Sequence, residues 1–173
     1  SGNGTSTCTV FVDGLRYDVA VQLQQRLSAL GNTSLSARWT SLPSVTASGK
    51  AWCSPVSAHI VGTADDTEFE PRVASDGKPL SGYNLRKLMT EHGVQPLDKH
   101  ETGDPHGQGW TEAGDLDHYG HEHGVRLARD LSTQLDQVVE RVGELSDAGW
   151  KRVRVVTDHG WLLMRGGLPK SEL

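Results

Sequence analysis

Asp158 and His159 stand side by side where the run Val153-Arg154-Val155-Val156 gives way to Asp-His-Gly. A carboxylate and an imidazole at a strand end lie on the lip of a sheet, where open α/β folds bind ligands. Adjacent strand residues point to opposite faces. In the turn beyond, with Gly160 permitting an unusual backbone angle, both can face one point. Oxygen and nitrogen donors converging like this suit a borderline divalent ion such as Zn or Mn. An Asp-His-Gly turn with no metal is an equally ordinary reading of the tripeptide alone, so three other segments carry the argument. Asp13 directly follows an apolar run and is either a metal ligand or the cap of the next helix. Pro43-Ser44-Val45-Thr46 puts two hydroxyls at a helix start. Either is a nucleophile once a base or a metal activates it, and capping is their common use. Asp117-x-x-Gly-His121 sets a carboxylate and an imidazole on one face of a helical turn, with Gly120 leaving room for an ion.

Taken in order, these residues supply ligands for two divalent ions. Asp13, Thr46, Asp158 and His159 would hold one, and Asp117 with His121 the other. Two ions about 4 Å apart clamp the attacking and leaving oxygens of an in-line displacement at phosphorus, and one of them makes a hydroxyl available as alkoxide. Other polar residues are weighed against bland uses. His118 and His123 fall off the Asp117–His121 face and read as exposed or hydrogen-bonded imidazoles. His100 and His106 are loop residues. Asp18 reads as a solvated helix side chain. Arg16, three residues past Asp13, is a candidate for bidentate phosphate contact or for pairing with Asp18. Lys50, one turn after Thr46, is a second candidate for substrate contact. Cys53-Ser54-Pro55 resembles the start of a sulfatase motif, but Ser57 stands where that motif needs arginine, so Cys53 reads as a small buried hydrophobe.

The elements that must position these groups follow from hydrophobic spacing. Thr7–Val12 reads as a strand, Tyr17–Leu30 as a helix with Ala20, Leu23, Leu27 and Leu30 on one stripe, and Leu35–Leu42 as a second strand. Thr46–Trp52 reads as a short helix, residues 54–81 as an elaborated loop with a strand or two and a turn at Asp65-Asp66, and Tyr83–His92 as a helix. His100–Gly109 reads as a mobile loop. The longest helix spans about Val125–Ala148, with Ala128, Leu131, Leu135, Val138, Val142 and Leu145 three or four apart. Strands alternating with helices predict a three-layer α/β/α fold with a mostly parallel central sheet. At 173 residues the chain reads as one domain, residues 7–173, after a flexible lead-in at 1–6. Its first strand starts almost at once and it ends in a Gly-Gly-Leu-Pro loop, so it is read as a fragment of a longer protein.

Composition narrows the classes. A net charge of −5 gives no global nucleic-acid footprint, and two distant cysteines form no disulfide framework. No signal peptide and no long apolar run is visible, so the chain is read as soluble, cytoplasmic and not membrane-bound.

Val-Phe-Val-Asp-Gly-Leu-Arg-Tyr-Asp (10–18), Leu-Pro-Ser-Val-Thr-Ala (42–47), Leu-Asp-His-Tyr-Gly-His-Glu (116–122) and Val-Thr-Asp-His-Gly-Trp (156–161) resemble the PglZ domain of the alkaline phosphatase superfamily. The resemblance runs from about residue 8 to 170, with no matching motif in 55–105. It implies an alkaline-phosphatase-like core and places the nucleophile, which follows a Pro-x-x pattern, on Thr46. It implies two divalent ions, Zn or Mn, with the Asp13, Thr46, Asp158, His159 site complete. The other site would normally take a third ligand, a histidine beyond the DHG motif, and residues 160–173 contain none. The implied activity is cleavage of a phosphoester or phosphodiester, with a nucleotide or nucleic acid among the possible substrates. The family belongs to bacterial phage-exclusion systems, so a DNA methyltransferase or another defence protein is the implied partner. The alternative is a catalytically weak or inactive metal-binding scaffold for such a subunit.

Overall fold

The computed structural model describes residues 6–62 and 70–162. The expected lead-in (save Ser6), the Asp65-Asp66 turn and the terminal Gly-Gly-Leu-Pro loop lie outside the described residues.

Four strands form an all-parallel sheet: β1 (Thr7–Phe11), β4 (Val94–Pro96), β5 (Gln108–Glu112) and β6 (Arg152–Val156), in the order β4-β5-β1-β6. The short strands β2 (Ile60–Val61) and β3 (Arg72–Val73) make a separate antiparallel pair. Among the described residues five α-helices accompany them: α1 (Tyr17–Leu27), α2 (Thr46–Cys53), α3 (Gly82–Glu91), α4 (Leu116–His123) and α5 (Arg126–Asp147).

The alternation of β1 divides the core in two. Cys8, Val10 and Val12 pack with Val19 and Leu23 of α1 and with Leu127, Leu135, Val138 and Leu145 of α5. Phe11 faces the other side, where it joins Trp110, Val94 and the α3 residues Leu85, Leu88 and Met89. β1 is buried from Cys8 to Phe11, and its two polar residues, Thr7 and Thr9, share the face of Phe11. Along α5 the stripe is buried at Leu135, Val138, Val142 and Leu145 and partly buried at Leu131, while Leu127 takes the place expected of Ala128, which is exposed.

Three expectations are corrected. Residues 35–42 form no strand: Trp39 and Leu42 are 98% and 93% exposed, and alternation without a neighbouring ladder does not hold a strand. Helix α1 stops at Leu27, short of Leu30, which is half exposed. The stretch expected as a mobile loop ends in β5, and its first part is tied to α5. The buried Arg141 guanidinium donates to the carbonyls of Asp98 (3.3 Å) and Glu101 (2.5 Å), and the Trp150 indole donates to that of Thr102 (2.7 Å). Gly109 lets β5 close on its neighbours, since a Cβ there would stand 3.0 Å from Trp150 and 3.1 Å from the Cys8 sulfur.

Candidate metal centre and nucleophile

Parallel β1 and β6 run in register from Thr7 opposite Arg152 to Phe11 opposite Val156, so their carboxyl ends finish together. Val12 donates its N–H to the Val156 carbonyl (2.9 Å), which carries the pairing one step past the strands. Asp13 and Asp158 therefore leave the sheet as neighbours, although 145 positions separate them in sequence. The turn between them is tied by the Leu15 N–H donating to the Thr157 hydroxyl (3.0 Å). One ligand atom from each of Asp13, Asp158 and His159 lies within 4.8 Å of the others.

Thr46 begins α2 and closes the cluster. Its Oγ1 lies 3.2 and 3.4 Å from the two Asp13 oxygens and 3.1 Å from His159 Nε2. The tautomer of His159 follows from its other nitrogen. Nδ1 is 3.0 Å from the Gly160 carbonyl, which can only accept, so Nδ1 carries a proton, and in the neutral ring Nε2, 3.3 Å from Asp13 Oδ1, is left with the lone pair. This is the arrangement that orients histidine ligands of metals. Ser44, the competing hydroxyl, takes no part in this network.

Asp158 is 3% exposed. Its Oδ1 accepts from the His159 N–H (2.9 Å) and the Gly14 N–H (3.4 Å), while its buried Oδ2 has no hydrogen-bond partner among the described residues and lies 3.8 Å from His159 Nε2. An unpaired buried carboxylate oxygen is costly, and a cation would remove the cost. Burial pushes the Asp13 carboxyl above its usual range, and the charges of Asp158 and Asp117 push it further, against the pull of His159 and the Thr46 hydrogen bond. Two carboxylates and one imidazole that can face one point suit a divalent ion in donor type, with the Asp117 charge nearby.

The second pair sits beside the first. His121 Nε2 lies 3.3 Å from Asp117 Oδ2, as the four-residue spacing predicts. Asp117 packs on Gly14, where a Cβ would be 3.3 Å from its Oδ1. Among the described residues no third histidine or acid joins this pair. His118 and His123 contact Glu122 (3.3 and 3.8 Å), and His106 contacts Asp104 (2.9 Å), so these imidazoles stand where the bland reading puts them.

Two glycines have other tasks than those expected. Gly160 does not take the left-handed backbone; the glycine at the rim that does is Gly14, with φ 67°. A Cβ on Gly160 would meet the Arg16 side chain at 3.1 Å, so its small size admits Arg16. A Cβ on Gly120 would meet Leu127 at 3.1 Å, so that glycine admits a core leucine and is not a space for an ion.

Both candidate substrate cations have protein partners. Arg16 donates to both oxygens of Asp18 (2.5 and 2.7 Å) and lies 4.1 Å over the Trp161 ring. Lys50 pairs with Glu112 at 2.6 Å and lies over Phe11. Burial raises the Cys53 thiol to about 11, helped by the Asp158 charge, and its sulfur faces the Thr157 carbonyl.

Sequence reasoning missed Thr157, Thr40 and Gly49. The Thr40 hydroxyl donates to the Asp158 carbonyl (3.2 Å). Gly49 was detectable as a glycine inside a helical octet, where it disfavours the helix unless something else needs the space.

No protein-family model, no curated protein and no solved structure matches this chain.

Proposed function

We propose that this chain is a metal-dependent phosphohydrolase of the alkaline phosphatase superfamily, built on a three-layer α/β/α core of the PglZ type. It would cleave a phosphoester or phosphodiester with Thr46 as nucleophile. The observation that carries the reading is the placement of Thr46 Oγ1 against both Asp13 oxygens and His159 Nε2, beside the orphan Asp158 oxygen.

Asp13, Asp158, His159 and Thr46 would hold one ion, Zn or Mn, and Asp117 with His121 would contribute to a second. When bound, such ions supply Lewis-acid stabilisation of charge on the phosphoryl and entering oxygens. Thr46 Oγ attacks phosphorus, the P–O bond to the leaving group breaks, and the leaving oxygen departs with that electron pair. The hydroxyl proton passes to the carboxylate cluster around Asp13. Water then hydrolyses the phosphothreonine and returns the hydroxyl. Asp158 is held in place by the Gly14 and His159 N–H groups, which keeps it beside Asp13.

The biological setting that fits the resemblance is a cytoplasmic phage-defence system, with a DNA methyltransferase or another defence protein as partner. No helix among the described residues is long and apolar enough to cross a membrane.

One observation favours a weaker catalyst or a scaffold. Arg16 and Lys50 are satisfied by Asp18 and Glu112, so neither stands free to grip a phosphate.

Metal analysis of purified protein, followed by assay against p-nitrophenyl phosphate and bis-p-nitrophenyl phosphate with added Zn or Mn, tests the assignment. Metal-dependent turnover of either ester is expected. Bound metal with no turnover of either would favour the scaffold, and failure to bind Zn or Mn would remove both readings.

A further inference from the structure

The lower half of the sheet face beneath α2 carries a second polar site, separate from the metal cluster. A cavity of about 280 Å³ opens there, lined by Thr7, Thr9, Ser54, Gln108, Arg152 and Arg154 among others. Register explains why these side chains share it. Arg152 is paired with Thr7 and Arg154 with Thr9 across β1 and β6, and Gln108 is paired with Thr7 across β1 and β5. Residues paired in a parallel sheet point to the same face, and positions two apart along a strand do so again. The two guanidiniums thus rise from one side of β6, their Cα atoms about 7 Å apart at the usual strand rise.

Three features distinguish this cavity from a solvated surface. No carboxylate lines it, although the whole chain is acidic with a net charge of −5. Among the described residues, Arg152 and Arg154 form no ion pair, as is also true of Arg38, Arg126 and Arg129, whereas Arg16, Arg26, Arg72, Arg86 and Arg141 each have a carboxylate partner; only Arg152 and Arg154 of the unpaired five line this cavity. Thr9 lines the cavity at 6% exposure and its hydroxyl has no hydrogen-bond partner among the described residues. The site therefore offers two planar forks of N–H donors, threonine hydroxyls and an amide to anything that enters.

We propose that this cavity binds a compact anion with two linked phosphoryl groups, as in inorganic diphosphate or the diphosphate of a nucleotide. Arg152 and Arg154 take the anionic oxygens bidentately, the geometry for which guanidinium is suited. The Thr7 and Thr9 hydroxyls and the Gln108 amide donate to the oxygens left over. Thr9 and Arg154 each precede their metal-site counterparts, Asp13 and Asp158, by four residues, roughly 13 Å along the strands. The anion site and the metal cluster do not share a ligand.

Calorimetric titration of the 173-residue chain in buffer with EDTA tests this, using sodium pyrophosphate, orthophosphate and ADP as probes. Pyrophosphate should bind, more weakly as salt rises, and the double substitution Arg152→Gln/Arg154→Gln should weaken it at least about tenfold. Arg154→Lys, which keeps the charge and loses the fork, should fall between the two. Circular dichroism of each variant shows that the fold is kept. Asp158→Asn should bind pyrophosphate as the native chain does. Binding of both ADP and pyrophosphate would identify a nucleotide diphosphate as the source of the anion, and pyrophosphate alone the free anion; either supports the site. Orthophosphate binding as tightly as pyrophosphate would overturn the two-phosphate assignment. Absence of pyrophosphate binding, unchanged binding in the double variant, or loss in Asp158→Asn would overturn the site itself. The arginines would then be read as charges that keep the edge strand β6 from pairing with another chain.

Discussion

Gly49 of α2 lies directly against Asp158: a Cβ built on the glycine would overlap the Asp158 Cβ and stand 3.3 Å from its Cα. The helix carries an interior glycine, at roughly 0.5–1 kcal/mol relative to alanine, and in return α2 comes close enough to set Thr46 beside the acids. Gly49→Ala should push Asp158 from the point it shares with Asp13 and His159, and overpacking of this kind costs about 1–3 kcal/mol. Urea melts and zinc titration of the variant measure the two effects. A variant with native midpoint and native zinc affinity would show that the contact is slack.

Thr46→Ala removes the hydroxyl between Asp13 and His159 and leaves the ligand atoms of Asp13, Asp158 and His159. Turnover should disappear while zinc still binds and the fold persists. Val45 is the N-cap of α2 and no side chain caps this helix end, so the Thr46 hydroxyl is not needed to hold the helix. Comparing phosphatase rate, bound zinc and melting temperature with those of Ser44→Ala separates the two hydroxyls. If the serine variant is the dead one, the nucleophile is misassigned.

Asp13 should be a liability in the ion-free chain. Its carboxyl is pushed above its ordinary range, first by burial and then by Asp158 and Asp117. A group that holds its proton more tightly when folded lowers stability as pH rises through that range, and returns the loss as pH falls again. Asp13→Asn in EDTA at pH 7 should therefore melt at or above the native chain, with the gap closing near about pH 4. Added zinc should raise the melting temperature of the native chain and not that of the variant. Thermal melts at both pH values, with and without zinc, decide it.

The two Asp-His pairs should differ in metal affinity. Asp13, Asp158 and His159 supply three ligand atoms within 4.8 Å, and Asp117 with His121 supply two. Zinc sites use three or four protein donors, so calorimetry should resolve one tight event and one weak or absent event. Asp117→Asn should leave the tight event in place. Two equally tight events would point to a further ligand for the second ion.

Both cysteines should resist alkylation. Burial raises the Cys8 thiol to about 11 against the opposing pull of Arg141, and Cys53 also reaches about 11. The thiolate is the reactive form, so little is present at neutral pH. Iodoacetamide at pH 8 should label the native chain far more slowly than the urea-unfolded chain, as read by mass spectrometry. Rapid native labelling at Cys53 would mean that the cavity it lines admits the reagent and that its thiolate is accessible there.

Local pattern carried part of the fold. The apolar end of β1, the β-branched run of β6 and the three-and-four spacing of α5 are each stated within one element and each forms the element it predicts, although the β6 run, read as a buried strand, has no fully buried residue. Other elements depend on neighbours. Gln-Gly-Trp-Thr-Glu has little of a strand about it, yet it forms β5 because it lies between β1 and β4 with Trp110 stacked on Phe11. The alternating stretch at 35–42 looks more like a strand and is none, for want of a partner ladder.

The sequence by itself determined which donors the site contains: the carboxylates of Asp13, Asp117 and Asp158, the imidazoles of His121 and His159, and a hydroxyl at the start of α2. Those are chemical identities, and spacing of three or four residues settles contacts inside one helix, as for Asp117 and His121. Only the tertiary structure decided what meets across the chain. The parallel register of β1 and β6 brings Asp13 to Asp158, and the close approach of Gly49 to Asp158 sets Thr46 against Asp13 and His159. The same packing gives Arg16 to Asp18 and Trp161, gives Lys50 to Glu112, and leaves Arg152 and Arg154 in a cavity without a carboxylate. Such partners lie up to about 150 residues apart, and long-range pairing follows from the shape and burial of whole elements, which no local periodicity records.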